Sequence, residues 1–262
     1  MNSDYTSGSL FDIRGRKALV AGGSKGLGRE MALCLIENGC DVFVVSRSAA
    51  PEAEVLEKAQ QHGVSVYYYA CDVLRTEAVR EMVAAAENAM GRIDILINSA
   101  GRNIRRMVAE MDDASWDAVL DVNLRASFII MREVIKVMRK QQYGKIVNMS
   151  SMKSVFGVSD DGYTAYCASK GAINMLTKQV ACEVAADHIT VNALAPTFIE
   201  TAINRQQLQD PVFYQGLVSR IPTGRIGQFR DLMGLLLLLV SDASEFLTGQ
   251  IYLIDGGISA RQ

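Results

Sequence analysis

The feature that most constrains the fold is an alternation of short, wholly apolar runs with longer segments of helical period. KALVAG (17–22), DVFVVS (41–46), VSVYYYA (64–70), IDILINSA (93–100), KIVNMS (145–150), ITVNALA (189–195) and IYLID (251–255) are strand-like. Helical stretches fall between them, for example 27–38, 51–62, 75–90 and 171–186. A strand that is apolar at nearly every position has to be covered on both faces, and helices joining successive parallel strands supply that cover. The pattern predicts an α/β chain with a doubly wound, seven-stranded parallel sheet and helices on both faces. No linker, repeat or low-complexity stretch divides it, so residues 1–262 are expected to form one domain. Segment 197–221, with Thr197, Pro211 and Gly216, interrupts the alternation before the last helix and strand, as a substrate-binding loop or lid does.

Composition narrows the class further. A hydrophobic content of 49% with 21% charged residues suits a globular chain with a sizeable core, and a net charge of -2 gives no reason to expect a nucleic acid or membrane surface as partner. The start, MNSDYTSGSLFDIRGR, lacks a basic flank and an apolar core, so no signal peptide is expected. The most apolar run, 235–240, is too short to cross a bilayer and reads as part of a core helix. Five scattered cysteines without a C-x-x-C pair, and two distant histidines, predict no metal site and reduced thiols in a cytoplasmic protein.

The first strand runs into Gly22-Gly23-Ser24-Lys25-Gly26-Leu27-Gly28 and then a helix. Glycines at 22, 26 and 28 permit a tight turn and close backbone approach, so that a pyrophosphate can rest on the helix N-terminus. The spacing is G-x-x-x-G-x-G rather than the commoner G-x-G-x-x-G, and its place between strand and helix is what makes it informative. The second strand ends Val45-Ser46-Arg47-Ser48, without the carboxylate that would hold a ribose 2′-hydroxyl. Arg47, with Lys25 beside it, can hold a 2′-phosphate instead, so the expected cofactor is NADP(H).

Further strings follow in order: Asn98-Ser99-Ala100-Gly101, Ser150-Ser151 and Tyr166-Cys167-Ala168-Ser169-Lys170. Together with the glycine turn they make the whole chain resemble the short-chain dehydrogenase/reductase family. The resemblance implies a single Rossmann domain, usually in a homotetramer or dimer, that interconverts an alcohol and a ketone. It places Asp72 and Val73 at the adenine, Asn98 beneath the cofactor between the central strands, and Pro196, Ile199 and Thr201 at the nicotinamide carboxamide. Thr197 stands where the family often has glycine. Run 235–240 and the adjoining strand 250–255 resemble the family's subunit contact, and intramolecular core is the other reading.

Tyr166 and Lys170 stand at i and i+4, facing the same way on one helix. An ammonium there favours the phenolate, bringing a phenol of unperturbed pKa ~10 toward use as an acid–base group. The resemblance also assigns Lys170 to the nicotinamide ribose and Ser151 to the substrate oxygen, with Ser150 as the rival. It gives Asn123 a water linked to the lysine, against which stands a polar residue that kinks or caps a helix. The 15 positions from Ser151 to Tyr166 exceed the family's usual gap, and the surplus falls in 158–162. Tyr163 is followed four residues on by Cys167 rather than lysine, which leaves it as substrate wall at most.

Substrate choice is thinly written. FDIRGRKALVAGG, NIRR and YCASKGAINMLTK look most like the gluconate 5-dehydrogenases and related sugar-acid dehydrogenases. Arg102, Arg105 and Arg106 could bind a substrate carboxylate, or could be solvated loop residues. Another ketone or a 3-oxoacyl thioester is the alternative within the class. A non-catalytic dinucleotide sensor, or a flavin or adenosyl-methionine enzyme, is the alternative outside it, and the tyrosine, lysine and serine have no evident use in either.

Overall fold

A computed structural model describes residues 6–47, 52–159, 162–201 and 204–261. In chain order the elements are α1 (Ser7–Leu10), β1 (Lys17–Ala21), α2 (Gly26–Glu37), β2 (Asp41–Ser46), α3 (Ala53–His62), β3 (Val66–Ala70), α4 (Thr76–Met90) and β4 (Ile95–Asn98). They continue with α5 (Asp113–Leu120), α6 (Ala126–Gln141), β5 (Gly144–Met149), α7 (Thr164–Val184), β6 (Ile189–Pro196), α8 (Arg205–Leu208), α9 (Pro211–Val218), α10 (Arg230–Val240) and β7 (Ile251–Ile254). The strands form one sheet in the order β3-β2-β1-β4-β5-β6-β7, and every neighbouring pair is parallel.

Successive strand residues point to opposite faces, and both faces are apolar, so the sheet has a core on each side. Leu19, Ala21, Phe43, Val45 and Leu96 pack with Val79, Met82, Ile130, Val134 and Ala181 on the side of α4, α6 and α7. Ala18, Val20, Val42, Val44 and Ile97 pack with Met31, Leu35, Leu236 and Leu239 on the side of α2 and α10. The strand order reverses between β1 and β4, where the connections leave toward opposite faces and open a crevice at the carboxyl ends. The glycine turn leaves β1 there and Ser99–Gly101 leaves β4, so the topology gathers the predicted motifs at one place.

Several boundaries differ from the sequence reading. Helix α7 begins at Thr164 rather than at 171, which carries both Tyr166 and Lys170 inside it. Tyr, Cys and Ser are weak helix formers, and packing against the sheet overrides that preference. Segment 197–221 contains α8 and α9. Asp210 caps α9 by accepting the N–H groups of Val212 and Phe213, and Pro211 follows as the first helical residue. Run 235–240 lies in α10, with Leu236, Leu239 and Val240 buried. Among the described residues no helix is long and apolar enough to cross a membrane, and no cluster of His, Cys, Asp and Glu is placed to hold a metal.

Candidate active site

The N–H groups of Gly22 and Gly23 donate to the carbonyl of Val45 in β2, at 2.8 and 3.3 Å, folding the turn over the strand ends. A Cβ on Gly28 would lie 2.2 Å from the carbonyl oxygen of Gly22, so only glycine lets α2 start this close to the turn. The outer side of the turn is open at Gly26, where a Cβ would meet nothing within 4 Å. Ser24 and Leu27 are half-buried beside it. Lys25 at the head of α2 makes no side-chain cap, and the first turn holds no acidic residue. The leading amides of this 12-residue helix therefore face the crevice with a partial positive charge and no side-chain acceptor. That cradle fits a diphosphate.

Arg47 and Lys25 are exposed, and neither forms an ion pair among the described residues. Ser48 lies outside those residues. Asp72 is exposed after β3 and accepts the Leu74 N–H at 3.2 Å, while Val73 is buried. Asn98 is buried at the end of β4 and donates through Nδ2 to the Ser127 carbonyl at 3.1 Å and to Asn148 Oδ1 at 3.4 Å. Its own Oδ1 has no partner among the described residues. Ala100 and Gly101 follow on the crevice side, half-buried and exposed. At the end of β6, Pro196 and Ile199 are buried and the Thr201 N–H donates to Asn204 Oδ1 at 2.8 Å. Thr197 sets its hydroxyl 2.8 Å from Met152 Sδ, a contact glycine could not make. Residues 202 and 203 lie outside the described residues.

The reacting centre sits where β5 and α7 meet. Lys170 is buried and its ammonium donates to the Met149 carbonyl at 2.5 Å, with Nζ 5.7 Å from the centre of the Tyr166 ring. Burial brings the lysine pKa down to about 8. Tyr166 opens partly onto the crevice, yet burial raises its phenol above the ordinary value, and the hydrogen bond with Ser151 pulls the other way. The ammonium was expected to acidify the phenol. Helical spacing does put both groups on one side, but the charge is directed at a main-chain carbonyl, and the serine is the neighbour that favours the phenolate. The two serines separate cleanly. Ser150 is buried and donates to Asn174 Oδ1 at 2.6 Å, whereas Ser151 faces Tyr166.

Asn123 lies on a π-helical turn, Asp121–Arg125, between α5 and α6. Its Oδ1 accepts the Arg102 N–H at 2.7 Å, and its Nδ2 donates to the Arg102 carbonyl and to Ser169 Oγ, each at 2.9 Å. The side chain is thus spent fastening the loop after β4 to α7, and makes no bond to Lys170. The side chain sits at a helix irregularity of a kind that often marks functional sites.

The three arginines have different fates. Arg102 is exposed with no side-chain ion pair among the described residues, and Arg106 lies 3.6 Å from Asp112. Arg105 sets its guanidinium 4.6 Å from the centre of the Tyr163 ring, and Lys153 sets its ammonium 3.8 Å from the same centre. Tyr163 is buried and meets Tyr166 edge-on at 6.0 Å. Lys153 was not singled out in the sequence, and Tyr163 was read as substrate wall at most. The available signal was local: a lysine two residues after Ser151 and an aromatic three before Tyr166. A cavity of about 410 Å³ lined by Asp12, Arg14, Arg16, Arg92, Asp94 and Asp242 lies away from every predicted site residue.

The family profile described as enoyl-(acyl carrier protein) reductase matches residues 21–259. The chain is 37% identical over 254 residues to the 2-dehydro-3-deoxy-D-gluconate 5-dehydrogenase of Pseudoalteromonas atlantica, covering 96% of this chain and 98% of that one. It is 35% identical to the 3-oxoacyl-[acyl-carrier-protein] reductase FabG of Thermotoga maritima, with 94% and 98% covered. The crystal structure of a gluconate 5-dehydrogenase from Burkholderia cenocepacia, in complex with NADP and tartrate, superposes with a TM-score of 0.91 at 32% identity, covering 98% of this chain and all of that one. The chain belongs to the short-chain dehydrogenase/reductase family and is an oxidoreductase acting between an alcohol and a carbonyl.

Proposed function

We propose that this enzyme uses NADP(H) to interconvert an alcohol and a ketone on a sugar acid of the gluconate type, with Tyr166 carrying the proton. The observation that carries the reading is the meeting of Ser151, Tyr166 and Lys170 at one crevice whose rim holds Arg105. The relatives named for sugar-acid oxidation, and the NADP and tartrate in the Burkholderia structure, support it. Bound there, the nicotinamide gives or takes the hydride.

The protein supplies position and a proton. Gly22, Ser24, Lys25, Gly26, Leu27 and Gly28 hold the diphosphate on the amides of α2, and Lys25 and Arg47 hold the 2′-phosphate. Asp72 and Val73 flank the adenine. Asn98, Ala100 and Gly101 line the path to the nicotinamide end, which Pro196, Ile199 and Thr201 close. Lys170 holds the nicotinamide ribose. Ser151 donates to the substrate oxygen, and Tyr166 protonates that oxygen in reduction or deprotonates it in oxidation. Asn123 holds a water linked to Lys170, while its side chain keeps the loop after β4 in place. Segment 197–221 covers the substrate. A homo-oligomer, tetramer or dimer, working in the cytoplasm completes the proposal.

Absorbance at 340 nm, followed with NADPH and then NADH over 5-ketogluconate, a 3-oxoacyl thioester and neutral ketones, tests it. Turnover of the keto acid with NADPH, lost in Tyr166→Phe while NADPH still binds, is expected. Turnover of the thioester alone would favour the second reading, which the FabG relative supports. Tight NADPH binding with no turnover of any carbonyl would leave a sensor.

A further inference from the structure

Resting on the sugar-acid reading above, we propose that Tyr163 is a specificity-determining positioning residue, whose ring presents Arg105 and Lys153 to a substrate carboxylate at the rim of the Tyr166 crevice. Both cations lie within 5 Å of one ring centre, at 4.6 Å for Arg105 Cζ and 3.8 Å for Lys153 Nζ. The face of an aromatic ring is negative and attracts a cation. Exposed arginines and lysines ordinarily lose rotamer freedom when they grip a ligand, and a ring that already holds them removes much of that loss. Tyr163 is itself buried and touches Tyr166 edge-on, so the acid-reading groups sit one ring away from the reacting phenol.

The backbone fixes this arrangement. The Arg106 N–H donates to the Gly162 carbonyl at 3.0 Å, and Arg106 and Tyr163 form an isolated parallel bridge. Gly162 has φ +63°, and a Cβ there would lie 2.7 Å from the Arg106 carbonyl carbon, so no other residue fits between the two loops. The bridge that places Tyr163 also places Arg105, one residue away in the chain. Gly162, at the end of the extra length between Ser151 and Tyr166, thereby gains a use against the basic loop.

The test compares oxidation by NADP+ of gluconate and of glucitol, which carries a hydroxymethyl where gluconate has its carboxylate. The wild type is expected to prefer gluconate. Tyr163→Leu should lower the gluconate-to-glucitol ratio of kcat/KM about tenfold through the KM for gluconate, as loss of a partly desolvated cation–ring contact implies. Tyr163→Phe, which keeps the ring, should hold the ratio. Arg105→Ala combined with Tyr163→Leu should be no worse than the poorer single variant, because both remove one device. NADPH binding reports folding, and Tyr163→Met replaces the leucine variant if that one does not bind. An unchanged ratio in the leucine or methionine variant, an equal loss in the phenylalanine variant, or additive losses in the double variant overturns the proposal. If Arg105→Ala abolishes the preference while Tyr163→Leu retains it, the ring alone is refuted and the sugar-acid reading stands. A wild type without preference refutes both.

Discussion

Lys170 donates its ammonium proton to the carbonyl of Met149 at 2.5 Å, although the Tyr166 ring lies one helical turn away with its centre 5.7 Å from the same nitrogen. The charge serves first to join α7 to the end of β5. It is also a charge removed from water, and burial lowers its pKa from 10.5 to about 8.

That shift sets a pH dependence of stability. Between about 8 and 10.5 the unfolded chain binds the lysine proton and the folded chain has released it, so stability rises with pH across this window. Below it both states are protonated and the cost of the buried charge, about 3 kcal/mol, is fully present. Thermal melts of the protein without cofactor should show this rise. Lys170→Met should flatten it, and parallel curves for the two proteins would contradict the account.

Ser151 is the neighbour that lowers the Tyr166 pKa against burial. Ser151→Ala removes that hydrogen bond, so the phenol should need a higher pH to act as base. In alcohol oxidation the midpoint of the ascending limb should move to higher pH, and kcat should fall by roughly 10²–10³, the usual cost of one donor to a developing alkoxide. A pH–rate profile of gluconate oxidation measures both. Threonine at 151 should restore much of the rate.

Arg47 follows β2, exposed and without an ion pair among the described residues, and is proposed above to hold the 2′-phosphate. Arg47→Asp should lower the NADPH-to-NADH ratio of kcat/KM by about tenfold to a hundredfold, the worth of a charged hydrogen bond. Steady-state kinetics with each cofactor decides it. An unchanged ratio would move the 2′-phosphate contact elsewhere.

Asn123 exchanges two hydrogen bonds with the main chain of Arg102, and a third joins it to Ser169. Asn123→Ala removes the acceptor of the part-buried Arg102 N–H, at a cost of about 1 kcal/mol. Hydrogen exchange at the Arg102 amide should quicken, and the KM for the acid substrate should rise because Arg105 sits three residues along the same loop. Unchanged exchange at Arg102 would show that the Asn123 side chain does not fasten this loop.

The architecture was legible because it follows from local periodicity. Apolar runs such as 41–46 and 189–195 can only be doubly covered strands, and β2 matches its predicted span while β6 extends one residue further, to Pro196. The glycine turn was legible for a similar reason, since Gly28 answers to a backbone contact that any side chain would block. Less legible was the start of α7, where residues of weak helical preference are held by packing. Asp210-Pro211, a cap with a proline behind it, was a readable signal within 197–221 that the irregular composition obscured.

Sequence spacing alone determined that Tyr166 and Lys170 share a helix face, that Ser150 and Ser151 close a strand at the carboxyl edge, and that no acid follows the second strand. Tertiary structure alone decided where the lysine directs its ammonium and that Arg105 and Lys153 converge on Tyr163. The reason is physical. Periodicity and turn chemistry act over a few residues, whereas Arg105 lies in the connection after β4 and Lys153 and Tyr163 stand ten residues apart in the connection from β5 to α7, and their approach is set only when β4, β5 and α7 pack together.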